Sequence, residues 1–465
     1  MYNVPTNFIN EQKIWDVLNA HKTADAIQVR EVIAKATEMK GLNLDDVAIL
    51  TGVSDPELIK ELFDSANQIK DTIYGKRLVL FAPLYISNLC ANECLYCAFR
   101  ATNKGILRNV LSQKQIAREV EILINQGHKR VLMVAGESYP NQGFQYVLDS
   151  IKTIYKVKTE HGEIRRVNVN IAPLKTEEFK LLKYEGIGTY QIFQETYHRE
   201  TYNKVHLGGK KKDYNWRAWS LHRAMEAGID DVGIGVLFGL FDYRYEILAM
   251  MQHINELEEK FGVGPHTISV PRLEPATGSD LASHPPFAVS DIQFRKLVAI
   301  LRLAVPYTGI IMSTRETAKM RRETFALGVS QISAGSRTNP GGYEGETKDD
   351  VSGQFSLGDH RSLDEVIRDV VSMGHVPSFC TACYRLGRTG QDFMDLAKPG
   401  DIKLHCGPNA LSSFMEYLQN YASPATQKVG KQLIKDSIND MNGLAKQRAE
   451  KLVKRVEAGK DDVYC

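Results

Sequence analysis

From about residue 76 to residue 339 the chain alternates short apolar, β-branched runs with longer amphipathic stretches, which restricts it to an α/β fold on a parallel sheet. Strands are expected at 78–87, 130–136, 166–172, 189–195, 232–240, 266–272, 309–314 and 329–334. The helices between them are clearly punctuated. Ser112 opens one that Gly127 stops, Thr176 with Glu177 and Glu178 opens another that Gly186 ends, and Ser290 with Asp291 opens a third that stops before Pro306. Eight such units in about 260 residues match a TIM-type (β/α)8 barrel. The rival, a doubly wound open sheet, carries a Gly-rich phosphate loop after its first strand, where this chain has cysteines.

At 465 residues the chain is too long for the barrel alone. Residues 1–75 read as a helical extension, with acidic helix starts at Asn43-Leu44-Asp45-Asp46 and Asp55-Pro56-Glu57. Residues 76–340 are expected to form the barrel. Beyond Asn339 the alternation stops: Pro340-Gly341-Gly342 begins a polar loop, and helical stretches return at 362–373 and from Ala410. The last forty or so residues, rich in Lys and Glu, read as an exposed helix. Residues 341–465 are therefore expected to be a C-terminal domain. A net charge of +2 gives no reason to expect a nucleic-acid or membrane partner. No apolar run of about 18 residues is present, and the start lacks a basic region followed by an apolar stretch, so a cytoplasmic location is expected.

Seven cysteines, odd in number and clustered, point to metal or redox chemistry rather than disulfides. Cys90, Cys94 and Cys97 form C-x3-C-x2-C directly after the first strand, at the strand end where barrels carry out chemistry. Three thiolates on so short a loop can wrap one corner of a four-iron cube and leave one iron without a protein ligand. Zinc and structural thiols are the alternatives, but zinc takes four ligands and no His lies between Cys90 and Cys97. Cys380, Cys383 and Cys406 are spaced C-x2-C-x22-C and again offer three thiols. Cys465, expected to end a mobile helix, is not assigned. His405 and His375 lie near this second set in sequence, so a Cys3His zinc site is the alternative to a second iron–sulfur cluster.

C-x3-C-x2-C with an aromatic residue, Tyr96, before the last cysteine and after the first barrel strand resembles the radical S-adenosylmethionine (SAM) superfamily. The resemblance implies that the open iron chelates the amino and carboxylate groups of SAM. An electron from the cluster then yields methionine and a 5′-deoxyadenosyl radical. Gly136-Glu137, ending the second strand, matches the family's Gly-Glu motif and would receive the SAM amino group. By place and charge, Glu195 would bind the ribose and Arg217 the SAM carboxylate, an ordinary ion pair or solvated face being the plain alternative.

The C-x2-C-x22-C set after such a barrel is similar to the HydG family of tyrosine lyases, maturases of FeFe-hydrogenase. The neighbouring ThiH family of 2-iminoacetate synthases shares the barrel and lacks the second triad. The likeness implies two 4Fe-4S clusters, the auxiliary one carrying an additional iron with cysteine as its ligand, and SAM. It implies cleavage of L-tyrosine at Cα–Cβ to p-cresol and dehydroglycine, then carbon monoxide and cyanide caught on the additional iron for the hydrogenase H-cluster. A low-potential electron donor and downstream hydrogenase maturases would be the partners. Arg315, assisted by Ser313, is placed to clamp the tyrosine carboxylate, with Ser336 and Arg337 as a second pair and an Arg315–Glu316 salt bridge as the plain alternative. His266 starts its strand at the opposite mouth. There it would ligate the additional iron if the auxiliary cluster plugs that mouth, and is structural otherwise. Fragments crossing the barrel would need a polar channel, for which Asn168, Asn170, Gln191 and Gln194 are available. A non-catalytic iron–sulfur scaffold is the remaining alternative, though carriers normally saturate all four irons.

Overall fold

The computed structural model describes residues 7–23, 25–140, 142–345 and 353–465. The first six residues of the polar start and residues 346–352 of the loop after Pro340 lie outside them. Eight parallel strands form the barrel: β1 (Arg77–Ser87), β2 (Arg130–Ala135), β3 (Arg166–Asn170), β4 (Tyr190–Gln191), β5 (Val232–Gly235), β6 (Thr267–Ser269), β7 (Gly309–Met312) and β8 (Val329–Ser333). Each pairs with the next in chain order, and β8 returns to β1 through Val79↔Gln331, Leu80↔Ile332 and Phe81↔Ser333. Each strand lies within its expected run except at Arg77, one residue earlier. Several ladders are short: past β4 and β5 the pairing continues only as single bridges, Glu195↔Val236 and Phe238↔Arg272.

Parity along β1 sorts its side chains. Leu78, Leu80, Ala82, Leu84 and Ile86 face outward into the apolar layer under the helices. Val79, Phe81, Pro83 and Tyr85 face the interior. The helix starts follow the sequence: Ser112 and Ser290 close capping boxes with Gln115 and Gln293. Thr176 is the first helical residue rather than the cap, which is Lys175, and Glu178 accepts from the Lys175 N–H.

Among the described residues the N-terminal extension has four helices, Glu11–Ala20, Ala26–Ala36, Leu44–Gly52 and Pro56–Tyr74. The last is capped by Asp55 with Pro56 in its first turn, buries Leu58, Leu62, Ala66, Ile69 and Ile73 at three- and four-residue spacing, and runs straight into β1.

At the other end β9 (Val376–Ser378) adds to the lower part of β1, Arg77↔Val376 to Val79↔Ser378, while the upper part pairs with β2. This hangs the C-terminal helices beneath the barrel. The last residues are not one exposed helix. Pro424–Asp440 and Gly443–Glu457 pack against helix Lys403–Asn420. Ala449, Leu452, Val453 and Val456 form a buried stripe that the surrounding lysines mask in the sequence. Past Glu457 the chain turns back, burying Val463. No described helix is long and apolar enough to cross a membrane.

The extension is locked by charge. Glu416, 2 % exposed, bonds Arg165 at 2.6 Å and Lys129 at 2.7 Å. Its carboxyl is held down to about 2, because these cations outweigh the cost of burial. Glu416→Ala takes the carboxylate from buried Lys129 and leaves Arg165 with Asp462 alone, at 3.3 Å, and should cost about 3–5 kcal/mol in urea unfolding. The lowered carboxyl adds stability that is full above the unfolded value of 4.5 and is lost as pH falls towards about 2; this acid sensitivity should disappear in the variant.

Candidate active site at the two mouths of the barrel

The upper mouth holds a cavity of about 180 Å3. The loop that leaves β1 bends Cys90, Cys94 and Cys97 onto its wall. Cys94 sits in a two-residue strand, Glu93–Cys94, paired with His206–Gly208. The Tyr96 hydroxyl lies 2.8 Å from His206 Nε2, and Arg108 donates to the carbonyls of Asn88, Phe99 and Arg100. Burial pushes all three thiols up, Cys97 to about 11. Thiols so desolvated become thiolates when a metal takes the charge, and Phe99 N–H already donates to Cys97 Sγ at 3.4 Å. The donor set therefore fits an iron–sulfur cluster. Among the described residues no three His, Cys, Asp or Glu side chains converge as one metal ion requires, and thiols bound to separate irons stand farther apart. Gly136 closes against this loop: a Cβ there would lie 2.1 Å from the Leu89 carbonyl oxygen.

One wall carries paired charges. Glu137 accepts from Arg217 Nη1 at 2.8 Å and Asn92 Nδ2 at 2.7 Å. Glu195 accepts from Lys211 Nζ at 2.6 Å and from Arg217 Nη2 at 3.4 Å. Burial disfavours the Glu137 carboxylate, but Arg217 and Lys211 hold its carboxyl below the ordinary range. Glu195 is in the left-handed region, at φ +71°, an outlier of the kind that gathers at functional sites. Arg217, expected near SAM, thus bridges both carboxylates. Lys211 and Asn92 are absent from the sequence reading: Lys210-Lys211-Lys212 looks like a solvated charge run, and Asn92 carries no signal beyond its place among the cysteines.

Across the cavity Arg315 stacks on the Phe355 ring at 3.2 Å. Glu316 pairs with Arg272 at 2.5 Å instead, leaving Arg315 facing the cavity beside Ser313. Ser336 also lines the cavity, its buried hydroxyl without a partner. Arg337 turns back to the carbonyls of Gly342 and Ser336. Asn170 and Gln191 face the cavity, whereas Asn168 lies deeper and accepts from Arg166. Gln194 corrects the channel expectation. Parity turns Gln191 and Phe193 inward, so Gln194 points out, towards the Tyr214 carbonyl at 3.5 Å.

The lower mouth opens on a second chamber, lined by Arg77, Asp231, His266, Cys380, Cys383 and Cys406 among others. His266 Nδ1 is 3.6 Å from Asp231, and its ring packs on Phe393. Burial, aided by Arg166, Arg130 and Arg77, holds the imidazole below its usual value and so neutral, with Asp231 opposing. Cys406 donates to Cys383, keeping the Cys383 thiol low and its own high. Arg77 is half-buried with a buried, unpartnered Nε; burial disfavours its charge, but thiolate charge at Cys406, Cys380 and Cys383 outweighs that cost. An anionic cluster on these thiols would supply the counter-charge, so the residues fit one. Neither nearby histidine completes a zinc set. His405 Nδ1 takes Arg388 and Arg448, and His375 faces the Lys76 carbonyl. Cys465 ends no helix: its N–H donates to Asn409, and its carbonyl accepts from Arg388 and Asn409.

Fold and site define a radical SAM barrel enzyme, a class that works with a 4Fe-4S cluster and SAM. Residues 84–254 match the radical SAM superfamily, and residues 269–376 the biotin and thiamin synthesis associated domain. The 2-iminoacetate synthase of Escherichia coli (strain K12) is 30% identical over 360 residues, 77% of this chain and 92% of that protein. The crystal structure of HydG, a maturase of the FeFe-hydrogenase, is 48% identical over 98% of this chain and 100% of that one, with a TM-score of 0.95. HydG from Carboxydothermus hydrogenoformans is 41% identical over 95% and 97%, with a TM-score of 0.83. The chain belongs to the HydG family of radical SAM maturases.

Gly136→Ala drives a methyl into the backbone of the cysteine loop. Iron content after anaerobic reconstitution should fall, and SAM affinity should drop at least tenfold by equilibrium binding.

Proposed function

We propose that this protein cleaves L-tyrosine at the upper mouth to p-cresol and dehydroglycine. The fragment becomes carbon monoxide and cyanide at the lower mouth, as an iron-bound unit for the hydrogenase H-cluster. The observation that carries this reading is the pair of cysteine triads at opposite ends of one barrel, with His266 facing the second.

Cys90, Cys94 and Cys97 would hold the SAM-cleaving cluster. Bound there, cluster and SAM supply a 5′-deoxyadenosyl radical. Glu137 would bind the SAM amino group, Glu195 the ribose, and Arg217 and Lys211 the carboxylate, with Gly136 letting the loop close and Tyr96 bracing it. Arg315, with Ser313, clamps the tyrosine carboxylate so that the amino group faces the radical; its lack of a Glu316 partner supports this. Cys380, Cys383 and Cys406 would hold the auxiliary cluster, and His266 would ligate the additional iron through Nε2, with Asp231 3.6 Å from Nδ1 on the other side of the ring. Free cysteine would complete that iron's ligands. The helical N-terminal extension 1–75, the barrel 76–340 and the auxiliary-cluster domain 341–465 act together, in the cytoplasm, with a low-potential electron donor upstream and other hydrogenase maturases downstream.

The test is anaerobic reconstitution followed by SAM, dithionite and tyrosine. p-Cresol, cyanide and haem-trapped carbon monoxide are expected together. Absence of p-cresol contradicts the lyase, and p-cresol without carbon monoxide points to a 2-iminoacetate synthase. Arg315→Met should lower p-cresol roughly 100-fold while SAM cleavage without tyrosine persists.

A further inference from the structure

Residues 353–359 leave the C-terminal extension and cross the upper mouth. Four backbone bonds fix them to barrel loops: Gln354 N–H to Thr338 O at 3.0 Å, Ser356 N–H to Pro275 O at 2.9 Å, and Gly358 and Asp359 N–H to Thr314 O at 2.8 and 3.1 Å. Gln354 and Phe355 are thereby set into the cavity wall. Phe355 carries Arg315. Gln354 does something different. The buried Tyr85 hydroxyl donates to its Oε1 at 2.7 Å, which leaves Nε2 facing Cys97 Sγ at 3.9 Å. A strand residue of the barrel interior thus fixes the orientation of an amide whose N–H points at a cysteine sulfur.

We propose that Gln354, held by Tyr85, is a positioning residue that donates to the Cys97 sulfur and raises the reduction potential of the SAM-cleaving cluster. This deepens the reading of Cys97 as a cluster ligand and rests on it. A donor to a cluster sulfur stabilises the added electron, and hydrogen bonding to the sulfurs is one of the levers by which proteins set such potentials. The backbone bond of Gln354 does not depend on its side chain, so the amide can be changed while the segment stays in place.

The experiment is a potentiometric titration of the reconstituted holoenzyme, following by electron paramagnetic resonance the cluster signal that SAM addition shifts. Iron content is measured alongside. In Gln354→Leu the midpoint should fall, with the reduced-to-oxidised ratio at a fixed potential lowered up to tenfold, about 59 mV for one electron. Gln354→Glu keeps the shape, removes the donor and adds charge, and should fall at least as far. Tyr85→Phe releases the amide and should move the potential the same way by less; it carries the test if the Gln354 variants do not fold. Midpoints equal to wild type in the folded variants overturn the proposal alone. Failure of the wild-type protein to form any SAM-responsive cluster signal overturns both the proposal and the reading beneath it.

Discussion

β1 is longer than the barrel wall needs, and the rest of the molecule depends on that excess. At about 3.3 Å per residue its eleven residues span about 33 Å. The middle closes the barrel through β8, and the upper part pairs with β2 and ends three residues before Cys90. The lower part projects past β2 and takes β9 as a partner, which ends two residues before Cys380. One strand therefore sets the place of both triads. Its parity keeps Leu78, Leu80, Ala82 and Leu84 in the apolar layer and leaves Val79 and Phe81 facing the interior between the two chambers.

The chambers differ in charge. The upper wall balances Glu137 and Glu195 against Lys211 and Arg217, an arrangement suited to a zwitterionic ligand whose amino and carboxylate groups replace internal partners. Arg77, Arg166 and Arg388 line the lower chamber with the carboxylate of Asp231, and buried Arg130 adds its charge from nearby. Cations left so uncompensated are costly unless an anion joins them, and a cluster on three thiolates is such an anion. Burial, aided by the guanidiniums of Arg166, Arg130 and Arg77, holds the His266 imidazole below its usual value and so favours the neutral form that binds a metal.

The strand runs and the cysteine spacings were legible because both are local: β-branched clusters make strands, and C-x3-C-x2-C lies within a single loop. The lower-mouth position of His266 followed from barrel geometry alone, since a residue at a strand start lies opposite the strand-end loops. What escaped is non-local. Gln354 meets Tyr85 across 269 residues, and no local pattern encodes that meeting. Lys211 is buried against Glu195 while its neighbours Lys210 and Lys212 are exposed, so composition gave it the wrong surroundings. Gln194 was misplaced because β4 is only two residues long and its parity had to be counted from the neighbours. The chain end was misread because the apolar stripe of its last helix sits among lysines.

The central claim is that two sites at opposite mouths divide one reaction between them. The most direct measurement is product partitioning in Cys380→Ala/Cys383→Ala, reconstituted and assayed with SAM, dithionite and tyrosine. The account predicts p-cresol retained at a rate near wild type while carbon monoxide and cyanide are lost or strongly reduced. Equal loss of all three products would contradict it.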